Sequence, residues 1–352
     1  MIKFDLNKSA YYYYELLNKT EREIYKTLLQ ALINVKPNAT LPFSVSKDII
    51  EKTVKFIAYD RPDIFWFAGG YTMTLSNGLV KSVSFEYRMN KSEIEVTKNK
   101  LVNSIFFKEL DKLIRSKNNA FEKALVAYEY IIKHTDYDSA AAASSSDFYN
   151  YAYNIDGVIL KSKAVCSGYS KAFQYFMNRH EIYCTFVAGN TNRGRHAWNL
   201  INLSGYYYID TTWGDPVFSN NTKRPSDYIS YDFFCITTKD LKKSHGAIID
   251  QKMPLCTDTR YNYYKYFNMI SDSFSVNDVA SRLVTAYRNG KNEAVIVYSS
   301  KQTYLLAKRE LFENEKIFEV LSKAKKTASC INERHVNYST ADDKNTIKIK
   351  LY

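Results

Sequence analysis

Apolar side chains recur at helical spacing in EREIYKTLLQALINV and again in SKDIIEKTVKFIAYD, so the pattern predicts helix over residues 10–60. After DRPDIFWFAGG the period falls to two. YTMTLSNGLVKSVSFEYRM alternates across Asn77-Gly78, a dipeptide that tolerates positive φ, and predicts a hairpin. Two further helices are expected over roughly residues 92–116 and 119–134.

DSAAAASSSDFYNYAYN has no clear period and predicts a surface loop. It leads into AVCSGYSKAF, where an amphipathic helix begins with apolar residues at 169, 172, 173, 176 and 177. Strand-like runs follow at CTFVAG, HAWNLINL and YYYID, and residues 213–257 read as a long irregular segment. In the tail, SVNDVASRLVTAYRNG predicts a helix closed by Gly290, EAVIVYSS a buried strand and KQTYLLAKREL another helix. HVNYSTADDKNTIKIKLY then reads as two strands. The expected fold is α+β in three regions: N-terminal helices plus a hairpin over 1–104, a core over 105–257, and a small α/β domain over 258–352.

Composition changes this picture little. A chain of 352 residues with 45% hydrophobic and 24% charged residues is long enough for two or three packed domains and is not of disordered type. The 31 tyrosines, with many Lys, Asn and Ile residues, fit an AT-rich coding sequence as well as a function, so the run Tyr11 to Tyr14 carries no chemistry by itself. The net charge of +12 invites an anionic partner, but acidic residues are interleaved with the basic ones along the chain. Specific nucleic-acid binding is therefore not expected, attraction to an anionic surface stays open, and Lys323 to Lys326 reads as a solvated helix face.

No stretch approaches the ~20 apolar residues of a membrane span. MIKFDLNKSA lacks the pattern of an export signal, which leaves both a cytoplasmic and an exported location open. Cysteines 166, 184, 235, 256 and 330 form no C-x-x-C pair, which argues against a zinc site or a disulfide scaffold. There is no glycine-rich phosphate loop and no calcium-type acidic cluster, so neither a cofactor nor a metal is expected.

Three segments carry the candidate chemistry. Cys166 stands where a helix begins, and unpaired amides at a helix start stabilise a thiolate. The segment alone is equally compatible with an inert buried thiol. His196 opens an alternating strand, sharing a face with Trp198 and Leu200; it is placed to exchange a proton with a thiol, or to be a satisfied core histidine. Asp210 ends a run that reads as buried, where a carboxylate needs a partner. It would orient the imidazole, or cap the turn at Thr211 and Thr212.

Hairpin geometry decides whether His196 and Asp210 can meet. A two-residue loop at Ser204-Gly205 would pair Asn199 with Asp210 and put the two residues on opposite faces. A three-residue loop, Leu203 to Gly205, pairs Trp198 with Asp210 and makes His196 its diagonal neighbour. Gly205 suits the left-handed position such loops favour, so an odd loop length or a compensating bulge is expected.

The order Cys-x-Gly-Tyr, His-Ala-Trp-Asn and Tyr-x-Ile-Asp-x-Thr-Trp resembles the transglutaminase-like superfamily of papain-related cysteine enzymes, in a bacterial-type member. The resemblance covers roughly residues 105–257 and includes Gly168, Tyr169, Trp198 and Trp213. It implies Cys166 as nucleophile, His196 as base and acid, and Asp210 as orienter, with the cysteine helix packed on the sheet that carries the other two. It also implies a protein or peptide substrate. Hydrolysis, as a protease or amidase, is favoured; cross-linking and a non-catalytic binding module are the alternatives.

The oxyanion donors expected are the Cys166 amide plus Tyr149 or Tyr151. Trp198 is the candidate cleft wall, while Trp213 reads as core, Asn199 as structural and Asp215 as a turn residue. His134, His180, His245 and His335 show no partner pattern and read as solvent or core histidines.

Overall fold

The computed structural model describes residues 11–144, 146–215, 229–248, 253–329, 331–332 and 335–351. The chain divides into two compact units, Met1–Thr259 and Arg260–Tyr352. The architecture is mixed α+β.

In the first unit, helices α1 (Lys19–Ile33) and α2 (Lys47–Asp60) flank a strand, β1 (Asn38–Val45), where helix was expected throughout. Pro42 explains the difference, because it lacks the amide a helix interior requires. Ala39, Leu41 and Val45 of β1 are buried. Strand β1 pairs antiparallel with β3 (Leu79–Tyr87), which pairs in turn with β2 (Phe67–Ser76). Asn77 and Gly78 close the β2–β3 hairpin with φ of 52° and 79°.

The helix expected over 92–116 is two helices, α3 (Lys91–Asn103) and α4 (Ile105–Arg115). Ser104 breaks them apart: its backbone is extended, and its hydroxyl accepts from the Phe107 amide as an N-cap. Helix α5 (Ala120–Lys133) begins with the Asn119 side chain accepting from the Glu122 amide.

At the centre lies helix α6 (Cys166–Arg179). Its Gly168, Tyr169, Ser170, Ala172, Phe173, Phe176 and Met177 are all buried. It packs on a four-stranded antiparallel sheet in the order β6 (Tyr206–Ile209), β5 (Gly194–Asn202), β4 (Cys184–Thr191), β7 (His245–Ile248). Within 213–257, read as irregular, the described residues include β7 and a one-turn helix, Thr238–Leu241. Strand β7 is too short for its period to show, and its pairing with β4 shifts register between Gly189 and Thr191.

The N-terminal elements and the core, read as separate regions from sequence, share one unit. Asp60 at the end of α2 accepts from the Tyr13 and Tyr14 amides and from the Tyr25 hydroxyl, at 2.9–3.0 Å. Tyr13 donates its hydroxyl to the Phe186 carbonyl of β4 at 2.8 Å. Gln174 of α6 donates to the Tyr59 carbonyl at 2.9 Å. These bonds tie residues 11–60 directly to the helix and sheet of the core.

The second unit holds its own sheet, in the order β8 (Ile270–Ser271), β9 (Glu293–Tyr298), β11 (Thr346–Lys350), β10 (Tyr338–Ala341). Helices α7 (Val276–Arg288), α8 (Lys301–Lys308) and α9 (Lys316–Thr327) accompany it. Val279, Leu283, Ile296, Val320, Leu321, Ile347 and Ile349 form its core. Gly290, just past α7, has φ of 65°. Among the described residues, no helix is long and apolar enough to cross a membrane.

Gly168 marks the tightest packing near the cysteine. A Cβ there would overlap the Ala152 carbonyl and come within 2.8 Å of the Ala164 Cβ. Gly168→Ala is therefore expected to destabilise the protein by about 1–3 kcal/mol. Denaturant unfolding checks this; an unchanged midpoint would show that the helix start yields freely.

Candidate active site

Helix α6 starts from an extended Val165 with φ −97° and ψ 178°, and no side chain caps its first amides. Val165 donates its amide to the Ala152 carbonyl at 3.0 Å, fixing the helix start against the turn before it. Cys166, the first helical residue, is partly exposed, whereas Cys184, Cys235 and Cys256 are buried. Three positions on, the Tyr169 hydroxyl lies 2.8 Å from the Thr135 carbonyl and 2.7 Å from Asp215 Oδ2, which share its one proton. Asp215 is thus the buried acceptor for a tyrosine of the cysteine helix, rather than only a turn residue.

The strand pair β5–β6 brings the second and third residues together. Asn202 pairs with Tyr206 and Asn199 with Ile209, so the loop is the three-residue Leu203 to Gly205 and Asp210 follows at the level of Trp198. The left-handed residue in that loop is Ser204, with φ of 63°, and not Gly205 as expected. Gly205 is small for a different reason: a Cβ would meet Asp258 Oδ2 at 3.0 Å. His196 Nε2 lies 2.7 Å from Asp210 Oδ2.

A further histidine enters the site. His245 on β7 donates from Nε2 to the same Asp210 Oδ2 at 3.0 Å, with Ser244 Oγ at 2.9 Å from its other ring nitrogen. Asp210 Oδ1 accepts from the Trp213 amide at 3.0 Å. The carboxylate is 1% exposed, so these three donors replace water. The sequence alone gives His245 as a solvent or core histidine, because its partner lies 35 residues away and no local pattern points to it.

The electrostatics follow from this packing. Burial works against a charge on His196, but the Asp210 carboxylate, its hydrogen bond, and a hydrogen bond and charge from Cys166 together raise the imidazole well above its ordinary value. Burial likewise opposes ionisation of Asp210, and the His196 charge with hydrogen bonds from both imidazoles holds its carboxyl below the usual range. With Nε2 engaged by Asp210, Nδ1 is the ring nitrogen left for Cys166.

Aromatic rings enclose the pair, with roles exchanged relative to expectation. Trp198 is fully buried, its ring 4.7 Å from His245, so it forms core rather than a cleft wall. Trp213 is the half-buried one, 5.4 Å from His196 and 4.5 Å from His245. Asn199 donates to the Ser170 and Thr185 carbonyls at 3.0 and 3.3 Å, binding β5 to α6. His134 stacks on Tyr130, His180 sits 3.1 Å from Asp111, and His335 is exposed.

The tyrosines expected to donate to an oxyanion are placed otherwise. Tyr151 donates its hydroxyl to Asp138 Oδ2 at 2.8 Å, and the side chain of Tyr149 lies outside the described residues. The phenol coupled to the cysteine is Tyr137: burial chiefly, and Cys166 next, raise its hydroxyl above the ordinary value, so it stays a proton donor. It sits on a two-residue strand, Asp136–Tyr137, parallel to Lys163–Ala164. That pairing has no signature in the sequence.

His196, Asp210 and His245 offer three ligand atoms within 4.8 Å of one another, a donor set that suits a zinc-type ion. Both imidazoles already spend those atoms on hydrogen bonds to Asp210. A metal there would have to break both.

A cysteine at a helix start, electrostatically coupled to a histidine that a buried aspartate holds, is the arrangement of a cysteine–histidine–aspartate site. Residues 108–212, which contain all three, match the transglutaminase-like superfamily core, and the chain carries a domain of that superfamily. Among solved structures, the chain is similar to a TGase at 17% identity and a TM-score of 0.28, over 54% of this chain and 53% of that one. It is similar to a candidate cysteine protease from Cytophaga hutchinsonii at 11% identity and a TM-score of 0.25, over 54% of this chain and 78% of that one. The chain thus aligns with about half the length of the TGase. A comparison with curated proteins finds no significant match.

Two measurements follow from the geometry. With iodoacetamide on the native protein, the peptide carrying Cys166 is expected to be alkylated before those carrying Cys184, Cys235 and Cys256, as peptide mapping by mass spectrometry will show. The His196 value is raised from 6.5 to about 10, so its contribution to stability is complete below pH 6.5 and is lost as the pH rises through about 10. The stability advantage of the wild type over His196→Gln should accordingly shrink between pH 6.5 and 10 in denaturant unfolding. A flat difference would show that the pair does not form.

Proposed function

We propose that the protein is a cysteine-dependent acyl-transfer enzyme that cleaves peptide or side-chain amides through a thioester, as a protease or amidase. One observation carries this reading: the buried Asp210 holds His196 at 2.7 Å, and that imidazole is electrostatically coupled to Cys166 at the uncapped start of α6.

In this reading the Cys166 sulfur attacks the amide carbonyl carbon, and the C=O π pair moves onto oxygen. The helix start supplies the Cys166 amide toward that oxygen, and Tyr137 is the phenol on hand as a second donor. His196 gives its Nδ1 proton to the nitrogen of the departing amine as the C–N bond breaks, leaving a thioester on Cys166. Water, deprotonated by the same nitrogen, then attacks the thioester carbonyl, and the thiolate leaves. Asp210 keeps its charge throughout and fixes the ring so that Nδ1 faces the sulfur. Trp213 limits water at the imidazole from the half-exposed side.

The test is a peptide library incubated with the protein, with and without a primary amine, and followed by mass spectrometry. Cleavage or deamidation is expected. Amine incorporation would favour cross-linking instead. Cys166→Ala should abolish turnover, and His196→Gln should lower it by at least ~100-fold. If Cys166→Ala keeps full activity, or no library member changes mass, the reading fails.

A further inference from the structure

Asp210 Oδ2 accepts from two imidazoles at once, His196 Nε2 at 2.7 Å and His245 Nε2 at 3.0 Å. An ionised carboxylate only accepts, so each of those nitrogens carries a proton. The two donors fill the lone pairs of that oxygen, while Oδ1 takes the Trp213 amide at 3.0 Å. Groups other than His196 therefore pin the carboxylate at both oxygens, and its plane is set independently of the imidazole it serves.

His245 is held just as closely. Its ring is fully buried, with Trp213 at 4.5 Å, Trp198 at 4.7 Å and Phe233 at 5.7 Å around it. Ser244 Oγ lies 2.9 Å from Nδ1, which leaves Nε2 for Asp210. An apolar side chain would fill this aromatic pocket without burying polar atoms, whereas a histidine brings a donor to the carboxylate.

The other titratable groups around this carboxylate leave Oδ2 to the two imidazoles. Cys166 on α6 acts on His196. Tyr128 on α5 has its hydroxyl raised far above the ordinary value, by burial chiefly and then by Asp210, Asp232 and Asp215. It spends its proton on the Ser230 carbonyl at 2.6 Å. Arg193 lies over the Trp213 ring, 5.9 Å from its centre.

A carboxylate oxygen with two donors pulls less on each of them. His196, held charged up to about 10, has to give its Nδ1 proton to a departing amine, and a stronger pull from Asp210 would make that transfer harder. We propose that His245 is a positioning residue of the reaction: by occupying the second lone pair of Asp210 Oδ2, it fixes the carboxylate for His196 and limits the hold of that carboxylate on the imidazole. The role rests on the reading of Cys166 as nucleophile and His196 as its acid and base.

The test uses the full chain with 15N-labelled histidine and long-range 1H–15N spectra from about pH 5 to about pH 10.5, which report protonation at each ring nitrogen. The chain has five histidines, so His245 is assigned by elimination from variants of the other four. In the wild type, His245 Nε2 should carry a proton near neutral pH; a bare Nε2 would overturn the inference. The His196 midpoint is read in a Cys166→Ala background, where the sulfur no longer adds to the charge on the ring. Adding His245→Leu removes the donor and keeps the pocket filled, and the midpoint should rise by about one pH unit, the scale of one hydrogen bond to a charged group. With His245→Gln the side-chain amide can still donate to Oδ2, and the midpoint should stay close to its starting value.

A role in packing alone would move neither midpoint or both alike, and either result overturns the assignment. His245→Phe is the second donor-free variant should His245→Leu fail to fold, and the wild-type spectrum needs no substitution of His245. Iodoacetamide on the wild type separates the two readings. Rapid labelling of Cys166 with an unmoved His196 midpoint sinks only the His245 assignment. Labelling no faster than that of an unfolded peptide thiol sinks the nucleophile reading, and the positioning role with it.

Discussion

A carboxylate sealed from water organises this architecture. An unpaired Asp210 at 1% exposure would cost several kcal/mol, so the fold has to deliver donors to it from separate places. They come from His196 on β5, His245 on the edge strand β7 and the Trp213 amide in the turn that follows β6. Three pieces of chain are thereby fixed around one anion. Removing one partner of such a pair typically costs about 3–5 kcal/mol, because the remaining charge stays buried.

The same anion sets the state of the histidine, and the histidine sets what Cys166 meets. Asp210 holds Nε2, which leaves Nδ1 as the free ring nitrogen, and it keeps the imidazole charged despite burial. A second anchor acts from the helix side, where Tyr169 ties α6 to Asp215 and to the Thr135 carbonyl. Both aspartates lie in the stretch YYYIDTTWGD, so one short segment after β6 secures both the imidazole and the cysteine helix. Gly168 completes the arrangement by letting the helix start lie directly against the Ala152 carbonyl.

Outside this centre, the N-terminal helices are part of the same packed unit. Asp60 gathers Tyr13, Tyr14 and Tyr25, and Tyr13 and Tyr59 then contact β4 and α6. Tyr59 and Ile57 also line a cavity of about 400 Å3 that reaches Ser167 and Lys171 on α6. A region that reads from sequence as a separate helical preface thus shapes the space beside the cysteine helix. The tyrosine-rich start, which composition alone made uninformative, has structural work in Tyr13, Tyr25 and Tyr59.

By itself the sequence determined the elements whose signals are local. The helix at Cys166, the Asn77-Gly78 hairpin, the three core strands and the α/β tail are all written in apolar period and turn residues. The meeting of His196 with Asp210 was legible too, because hairpin register depends on loop length, and loop length can be counted. Only tertiary structure decided what depends on contacts across long separations. His245 reaches Asp210 from an edge strand too short to show a period, and Tyr137 sits near Cys166 through a two-residue parallel pairing. Trp198 and Trp213 exchanged their expected places because strand alternation gives a face and not the depth of what covers it. The cavity at Lys171 likewise joins residues spread from Leu32 to Phe186, and no window of sequence contains it.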